Sequence, residues 1–566
     1  MTINALVGSA AQTTRTLLGS GSAGKAAFWI PGLTIGAVAA AATVGPSLFP
    51  HDPKFQAAAI GAAGIAGFAV GAGVEGLARG AGRISPAARM GTLGVLAGAG
   101  LVAWGATRLL GDKDSNIQGL GTAGVVIAAT AGASIAATVI ARKVPSHATL
   151  AQHALPLIAG GGVLGMAIID RMRTDDNYLL PEIELPEVDK GTKLATRELS
   201  KLTAAEAMPG VDPSTVQLDK LPPNGLRFML ERPTKAEIAA TMGEPAKADP
   251  LRLYVGLDEA PAELALPENE PKLVDWMTDR AMARMEASGA FERSRILVAA
   301  TTSTGFINPL APVSNEMMTL GDVATVGMQA GHKKAAFEMD NLDRATAMHE
   351  MLLAKIQDRI KDIPEGERPQ VDLYGESFGA WTSQDAFKGG GVDALAQAGV
   401  SHAMYTGSPK DSTFRQEVKA DPRALHVRSG VAAQELGGPE ATDPNVTFLT
   451  HDADPVANFD IADLWRRPDW LPTDGERGEK ISPHQKWWPG VTGLQLGIDQ
   501  WRAQFFTPGV LEAVGHDYRP EVGYVMRTAY DHDNVSDEQM ARIREYGRQA
   551  EVRWTDAKDR LLPPVE

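Results

Sequence analysis

VDLYGESFGAWTSQDAF, residues 371–387, runs from four β-prone residues, Val371 to Tyr374, through Gly375-Glu376-Ser377-Phe378-Gly379 into a small-residue segment compatible with helix. This predicts a strand, a tight turn and a helix. The G-x-S-x-G pentapeptide is what a nucleophile elbow requires: the serine takes a strained backbone position, and the flanking glycines let strand and helix approach closely. The strain directs the Ser377 hydroxyl out of the turn. The N-terminus of the following helix then brings unpaired N–H groups to where negative charge develops. Such pentapeptides also occur in plain loops, and it is the strand before this one and the helix after it that favour catalysis.

The chain of 566 residues is too long for one core. Residues 1–173 carry 12 Lys and Arg against 5 Asp and Glu, and the remainder carries 42 against 64, so a basic first part is joined to an acidic second part. The acidic part offers no clustered Lys and Arg for phosphates, which argues against nucleic acid as a partner. Cysteine is absent, which excludes disulfides, thiolate metal sites and a cysteine nucleophile without deciding the compartment.

Five apolar stretches fill the first part, at about 27–48, 56–74, 90–109, 119–141 and 153–170, each near the roughly 20 residues that cross a bilayer as a helix. Residues 1–173 are therefore expected to be a transmembrane helical bundle, the alternative being a buried bundle in a soluble protein. Small-xxx-small spacings such as Gly67/Gly71, Gly94/Gly98 and Gly161/Gly165 suit close helix packing in lipid, although glycine-rich segments also contain them by chance. With the N-terminus inside, the inner side carries seven Lys and Arg and the outer side five, which places the second part outside the cytoplasm. A cleaved signal peptide is the alternative for the first stretch.

Residues 174–245 are charged and proline-bearing without a sustained period, and are expected to be a linker and lead-in to a domain over 246–566. In that domain strands are expected at 251–257, 295–300, 371–374, 403–406 and 446–450, and helices at 271–291 and 341–362. Their alternation predicts an α/β domain with a mostly parallel sheet covered on both faces.

Reactive groups in such sheets collect where strands end. The candidates are the loop TTSTGF (301–306), Ser377, HDADPV (451–456) and Gly515-His516-Asp517, giving serine, aspartate and histidine in the chain order of an α/β-hydrolase. Ser377 is the candidate nucleophile, His516 the base and Asp454 the acid that holds its tautomer. Asp454 stands before Pro455, where Asp-Pro also simply opens turns, and Asp452 is a rival two residues away. For the oxyanion hole, Phe378 supplies the N–H after the nucleophile, and a second donor is expected from Thr302 or Ser303.

The ordered set LRLYVGL (251–257), ILVAATTSTGF (296–306), GDVATVGMQ (321–329), YGESFGAW (374–381), HDADPV, LWRRPDWLP (464–472), WWPGVTGLQ (487–495) and GHDY (515–518) resembles the actinobacterial membrane-anchored α/β-hydrolase family. In that family a multi-span N-terminal domain precedes a serine-hydrolase domain. The resemblance implies an α/β-hydrolase fold and Ser377, Asp454 and His516 as the triad. It departs at TTSTGF, where a loop richer in glycine and ending in Trp is expected, and this bears on the second oxyanion donor.

Trp465, Trp470, Trp487, Trp488 and Trp501, five of the ten tryptophans, fall between the acid and the histidine. They read either as packing between a cap and the sheet or as an apolar lip facing acyl chains or a membrane interface. No P-loop, dinucleotide fingerprint or H-E-x-x-H occurs, so neither a cofactor nor a metal is indicated. The expected protein is a multi-pass cell-membrane serine hydrolase acting on lipid or cell-envelope esters, with membrane lipid as its partner and its oligomeric state left open. An acyltransferase with the same triad and a non-catalytic membrane scaffold are the alternatives.

Overall fold

The computed structural model describes residues 220–561 apart from 333–340, 429–444, 473–476, 482–484, 486, 488–490, 504, 505 and 512, together with Leu48. Leu48 aside, the five apolar stretches and most of the lead-in lie outside the described residues. Among the described residues no helix is long and apolar enough to cross a membrane. The chain divides into two compact units, Glu182–Asn458 with Phe506–Glu566, and Met1–Pro181 with Phe459–Phe505.

Apolar runs that do not alternate mark strands covered on both faces. Seven strands, β1 (Leu251–Val255), β2 (Arg295–Ala300), β3 (Val323–Met328), β4 (Gln370–Glu376), β5 (His402–Thr406), β6 (Ala424–Val427) and β7 (Val446–Leu449), form one sheet in the order β1-β3-β2-β4-β5-β7-β6. Every pairing is parallel. Six residues of β4 are buried in succession, as expected of a central strand.

Among the described residues the helices are α1 (Pro223–Leu230), α2 (Lys235–Met242), α3 (Glu270–Ser288), α4 (Leu310–Met318), α5 (Leu342–Ile360), α6 (Phe378–Asp385), α7 (Gly391–Gln397), α8 (Thr413–Glu417), α9 (Val491–Arg502), α10 (Val522–Ala529) and α11 (Asp537–Leu561). Parallel strands need crossovers, and α3, α4 and α5 provide those from β1 through β4. On α5 the residues Met348, Leu352, Leu353, Ile356 and Ile360 recur at helical spacing and are buried.

Two helices stand in the stretch expected to be an aperiodic lead-in. The second, α2, is signed at its start by a capping box, in which Thr234 Oγ1 accepts from Glu237 N–H and Glu237 Oε2 accepts from Thr234 N–H, and at its end by Gly243. At eight residues each, α1 and α2 are too short for periodicity to reveal. β3 and β6 were likewise not expected as strands: β3 carries Thr325 and Gly327 among its apolar residues, and β6 is a four-residue edge strand.

Arg252 on β1 is fully buried and forms a bidentate pair with Glu316 on α4, Nε to Oε1 at 2.6 Å and Nη2 to Oε2 at 2.8 Å, while Nη1 donates to the Phe228 carbonyl at 2.7 Å. Arg252→Met leaves a buried carboxylate without its counter-charge and is expected to cost about 3–5 kcal/mol, whereas replacing both partners by apolar residues restores much of that. Urea unfolding of the single and double variants measures the difference. Equal losses in the two would show that the pair contributes through packing and not through charge.

In the other unit, Asp460 Oδ1 accepts from Ala462 N–H at 2.8 Å and opens a short turn of helix, Ile461–Leu464. Gly493 of α9 packs so closely on this turn that a Cβ there would lie 2.7 Å from Leu464 N. Ile461 and Trp465 are exposed, at 59% and 45%. Trp487 is half-buried with the Arg467 guanidinium 5.5 Å from its ring centroid.

Candidate active site

β4 runs straight into α6 through Ser377, whose φ of 56° and ψ of −118° lie where an L-residue is strained. The surroundings hold it there. Ser377 N–H donates to the Thr406 carbonyl at 2.9 Å, extending the β4–β5 ladder by one residue, and Trp381 N–H donates to the Ser377 carbonyl at 3.0 Å to start the helix. Both flanking glycines are required for contact: a Cβ on Gly375 would lie 2.9 Å from the Ala380 backbone, and one on Gly379 would collide with the Ala300 carbonyl at the end of β2. The elbow expected from the pentapeptide is therefore present, with the α6 N-terminus under the serine.

Phe378 is the first residue of α6, where its N–H has no intrahelical acceptor. Its ring is buried against Ala330, Ala345 and Leu342. The 301–306 loop lies beside the elbow and is folded on itself. Thr302 N–H donates to the Phe306 carbonyl at 2.9 Å, Gly305 N–H to the Thr302 carbonyl at 2.9 Å, and the Ser303 carbonyl accepts from Gly331 N–H at 2.6 Å. The Thr302 N–H is thus engaged within the loop.

Asp454 and His516, 62 positions apart in the chain, meet directly: His516 Nδ1 is 2.8 Å from Asp454 Oδ2. The aspartate is fully buried, and the Tyr518 hydroxyl donates a short hydrogen bond to the same oxygen. Asp454 Oδ1 accepts from Val456 N–H at 2.7 Å, so the Asp-Pro turn and the contact with histidine are made by one side chain. Asp452 is half-buried on the same loop and is not His516's partner. Gly407, directly after β5, makes room for the imidazole: a Cβ there would lie 2.5 Å from His516 Cε1. Ser377 and His516 are therefore neighbours through the Thr406-Gly407 backbone and not through a hydrogen bond of their own.

Burial opposes a charge on His516, but the Asp454 carboxylate and its hydrogen bond, with Glu376 and Asp517 further off, outweigh it and raise the pKa above the usual histidine value. Glu376 was not foreseen as part of the site. Its Oε2 accepts from Asn308 Nδ2 at 2.8 Å, the Tyr374 hydroxyl at 3.0 Å and the Thr406 hydroxyl at 3.1 Å. Burial pushes its pKa up, while His516 and these three donors pull it down, leaving it raised. The available signal was an acidic residue at the end of a buried strand, directly before the serine.

Also unforeseen were Tyr518, His451 and the pair of Asp517 with Arg519, Oδ2 to Nη2 at 2.7 Å. Burial raises the Asp517 pKa against the lowering influence of Arg519.

No curated protein and no solved structure shows significant similarity to the chain. A family model described as "Alpha/beta-hydrolase family" matches residues 251–543, more than half of the chain and the whole of the seven-stranded sheet. With that match, on a parallel sheet whose central strand ends in a strained serine, the chain belongs to the alpha/beta-hydrolase family and is a hydrolase in the general sense.

Proposed function

We propose that the chain is a membrane-anchored serine hydrolase that cleaves lipid or cell-envelope esters through an acyl-enzyme. The observation that carries this reading is the buried Asp454–His516 hydrogen bond set beside an elbow whose serine is held at positive φ. Ser377 Oγ attacks the ester carbonyl as His516 Nε2 takes its proton, and Asp454 holds the Nδ1–H tautomer and stabilises the imidazolium. The tetrahedral oxyanion draws on the Phe378 N–H at the head of α6. Thr302 N–H becomes a second donor only by leaving the Phe306 carbonyl. Collapse breaks the ester C–O bond, the leaving alcohol takes the proton from His516, and water then repeats the sequence on acyl-Ser377. Reaction of the detergent-solubilised protein with a fluorophosphonate, followed by peptide mapping, tests this. The adduct is expected on Ser377, and an adduct on another residue or no adduct at all would overturn it.

The anchor is the set of five apolar stretches before residue 173, and their odd number with the loop-charge bias supports an extracytoplasmic hydrolase domain. A reporter fused after Glu566 is expected to be active outside the cytoplasm, and activity only inside would reverse that orientation. Tethering keeps the site near lipid or envelope substrates and raises the encounter rate. The exposed Ile461 and Trp465 suit such a surface. An acyl chain gains about 0.8 kcal/mol for each methylene buried, so kcat/KM on simple esters is expected to climb from acetyl towards octanoyl. A flat or falling series would point to a small or peptidic substrate.

A further inference from the structure

The loop after β7 and the turn before α10 are joined twice, by two histidine–carboxylate pairs that run in opposite directions. His516 of the turn reaches Asp454 of the loop, and His451 of the loop reaches Glu521 at the far end of the turn, Nε2 to Oε2 at 2.8 Å. His451 Nδ1 also lies 2.8 Å from the carbonyl oxygen of Gly515, the residue before His516. A carbonyl can only accept, so Nδ1 carries a proton, and an imidazolium form of the ring satisfies Gly515 and a carboxylate on Glu521 at once. Burial opposes that charge, but the hydrogen bond and charge of Glu521, then the Gly515 bond and Asp454, raise the pKa above the usual value.

The same ring stacks on Tyr518 at a centroid separation of 4.3 Å, and His451 N–H donates to the Tyr518 hydroxyl at 3.3 Å. That hydroxyl in turn donates to Asp454. Gly515 has a φ of 60°, a conformation that glycine adopts without a Cβ penalty, and it is this residue's carbonyl that His451 holds. The groups facing His451 are Glu521, Asp454 and the Tyr518 phenol, while the Asp517–Arg519 pair is carried by the same turn.

We propose that His451, held protonated by Glu521, is a positioning residue for His516: its bond to the Gly515 carbonyl sets the turn so that the His516 imidazole faces Ser377. This rests on the serine-hydrolase reading of the site. An asparagine amide falls near the Nδ1 position of a histidine and a glutamine amide near Nε2, so His451→Asn keeps the Gly515 bond and His451→Gln keeps only the Glu521 bond. Both variants lose the buried ion pair. A residue that merely stabilised the fold would make them behave alike.

A raised histidine pKa means that the imidazolium and its two bonds are fully present at low pH and are lost as pH rises through the folded-state value. The neutral ring has one N–H, for which the Glu521 carboxylate competes with Gly515. In Glu521→Gln the amide donates to Nε2 and leaves Nδ1–H on Gly515, so the alkaline fall disappears.

The test is the rate of fluorophosphonate labelling of Ser377 in the full-length protein in detergent, across pH. His451→Asn and Glu521→Gln are expected to label at the wild-type rate, and His451→Gln about 100-fold slower, the scale on which an ångström of misplacement acts. Equal rates for His451→Asn and His451→Gln would overturn the proposal. If His451→Gln fails to fold, the alkaline fall decides: its persistence in Glu521→Gln overturns the proposal equally. An unlabelled wild type would instead sink the serine-hydrolase reading.

Discussion

Replacing Ser377 by alanine is expected to lower ester hydrolysis by about a million-fold, the loss seen when a triad nucleophile is removed, and to leave the fold intact. The fold is spared because the elbow is held by backbone contacts. Ser377 N–H still reaches the Thr406 carbonyl, Trp381 N–H still reaches the carbonyl of residue 377, and Gly375 and Gly379 still seat the turn against α6 and β2. Alanine inherits the positive φ, so the strain is unchanged while the proposed nucleophile is gone. Measuring kcat on an activated ester together with the melting temperature separates the two contributions. Turnover within tenfold of wild type would place the nucleophile elsewhere in the chain.

Asp454→Asn is expected to lower kcat about ten-thousand-fold. The amide oxygen would keep the bond from Val456 N–H, which leaves the amide nitrogen facing both His516 Nδ1 and the Tyr518 hydroxyl. All three are then donors, unless His516 turns its proton to Nε2, and in that tautomer it can no longer accept one from Ser377. The lost carboxylate also removes the main influence that raises the His516 pKa, so the acid limb of the residual kcat/KM profile is expected to move to lower pH. Asp452→Asn on the same loop is the control, expected to keep its activity. An inactive Asp452→Asn beside an active Asp454→Asn would reverse the assignment.

Much of the site was legible because its central feature is local. Strain and close approach at an elbow are requirements on five consecutive residues, and glycine at 375 and 379 meets them whatever the rest of the chain does. The order of serine, aspartate and histidine along the chain was read directly and is that of an α/β-hydrolase. Periodicity located α3 and α5, which have room for five turns, and missed α1 and α2, which have about two. The capping box from Thr234 to Glu237 was in view and would have found α2.

Composition, pattern and motif thus determined by themselves the class of the domain, the elbow and a shortlist for the acid and the base. Tertiary structure alone decided that His516 bonds Asp454 and not Asp452, because two positions on one loop differ only in which direction the folded backbone turns them. It also decided that Thr302 N–H is spent on Phe306, that Glu376 is gripped by three donors, and that His451 and Glu521 mirror the pair beside them. The Asn308–Glu376 and His451–Glu521 bonds join groups 68 and 70 residues apart. Sequence carries no direct trace of such pairings, since a hydrogen bond depends on distance and direction in space, and those are set only once the strands have been ordered and the loops at their ends brought together.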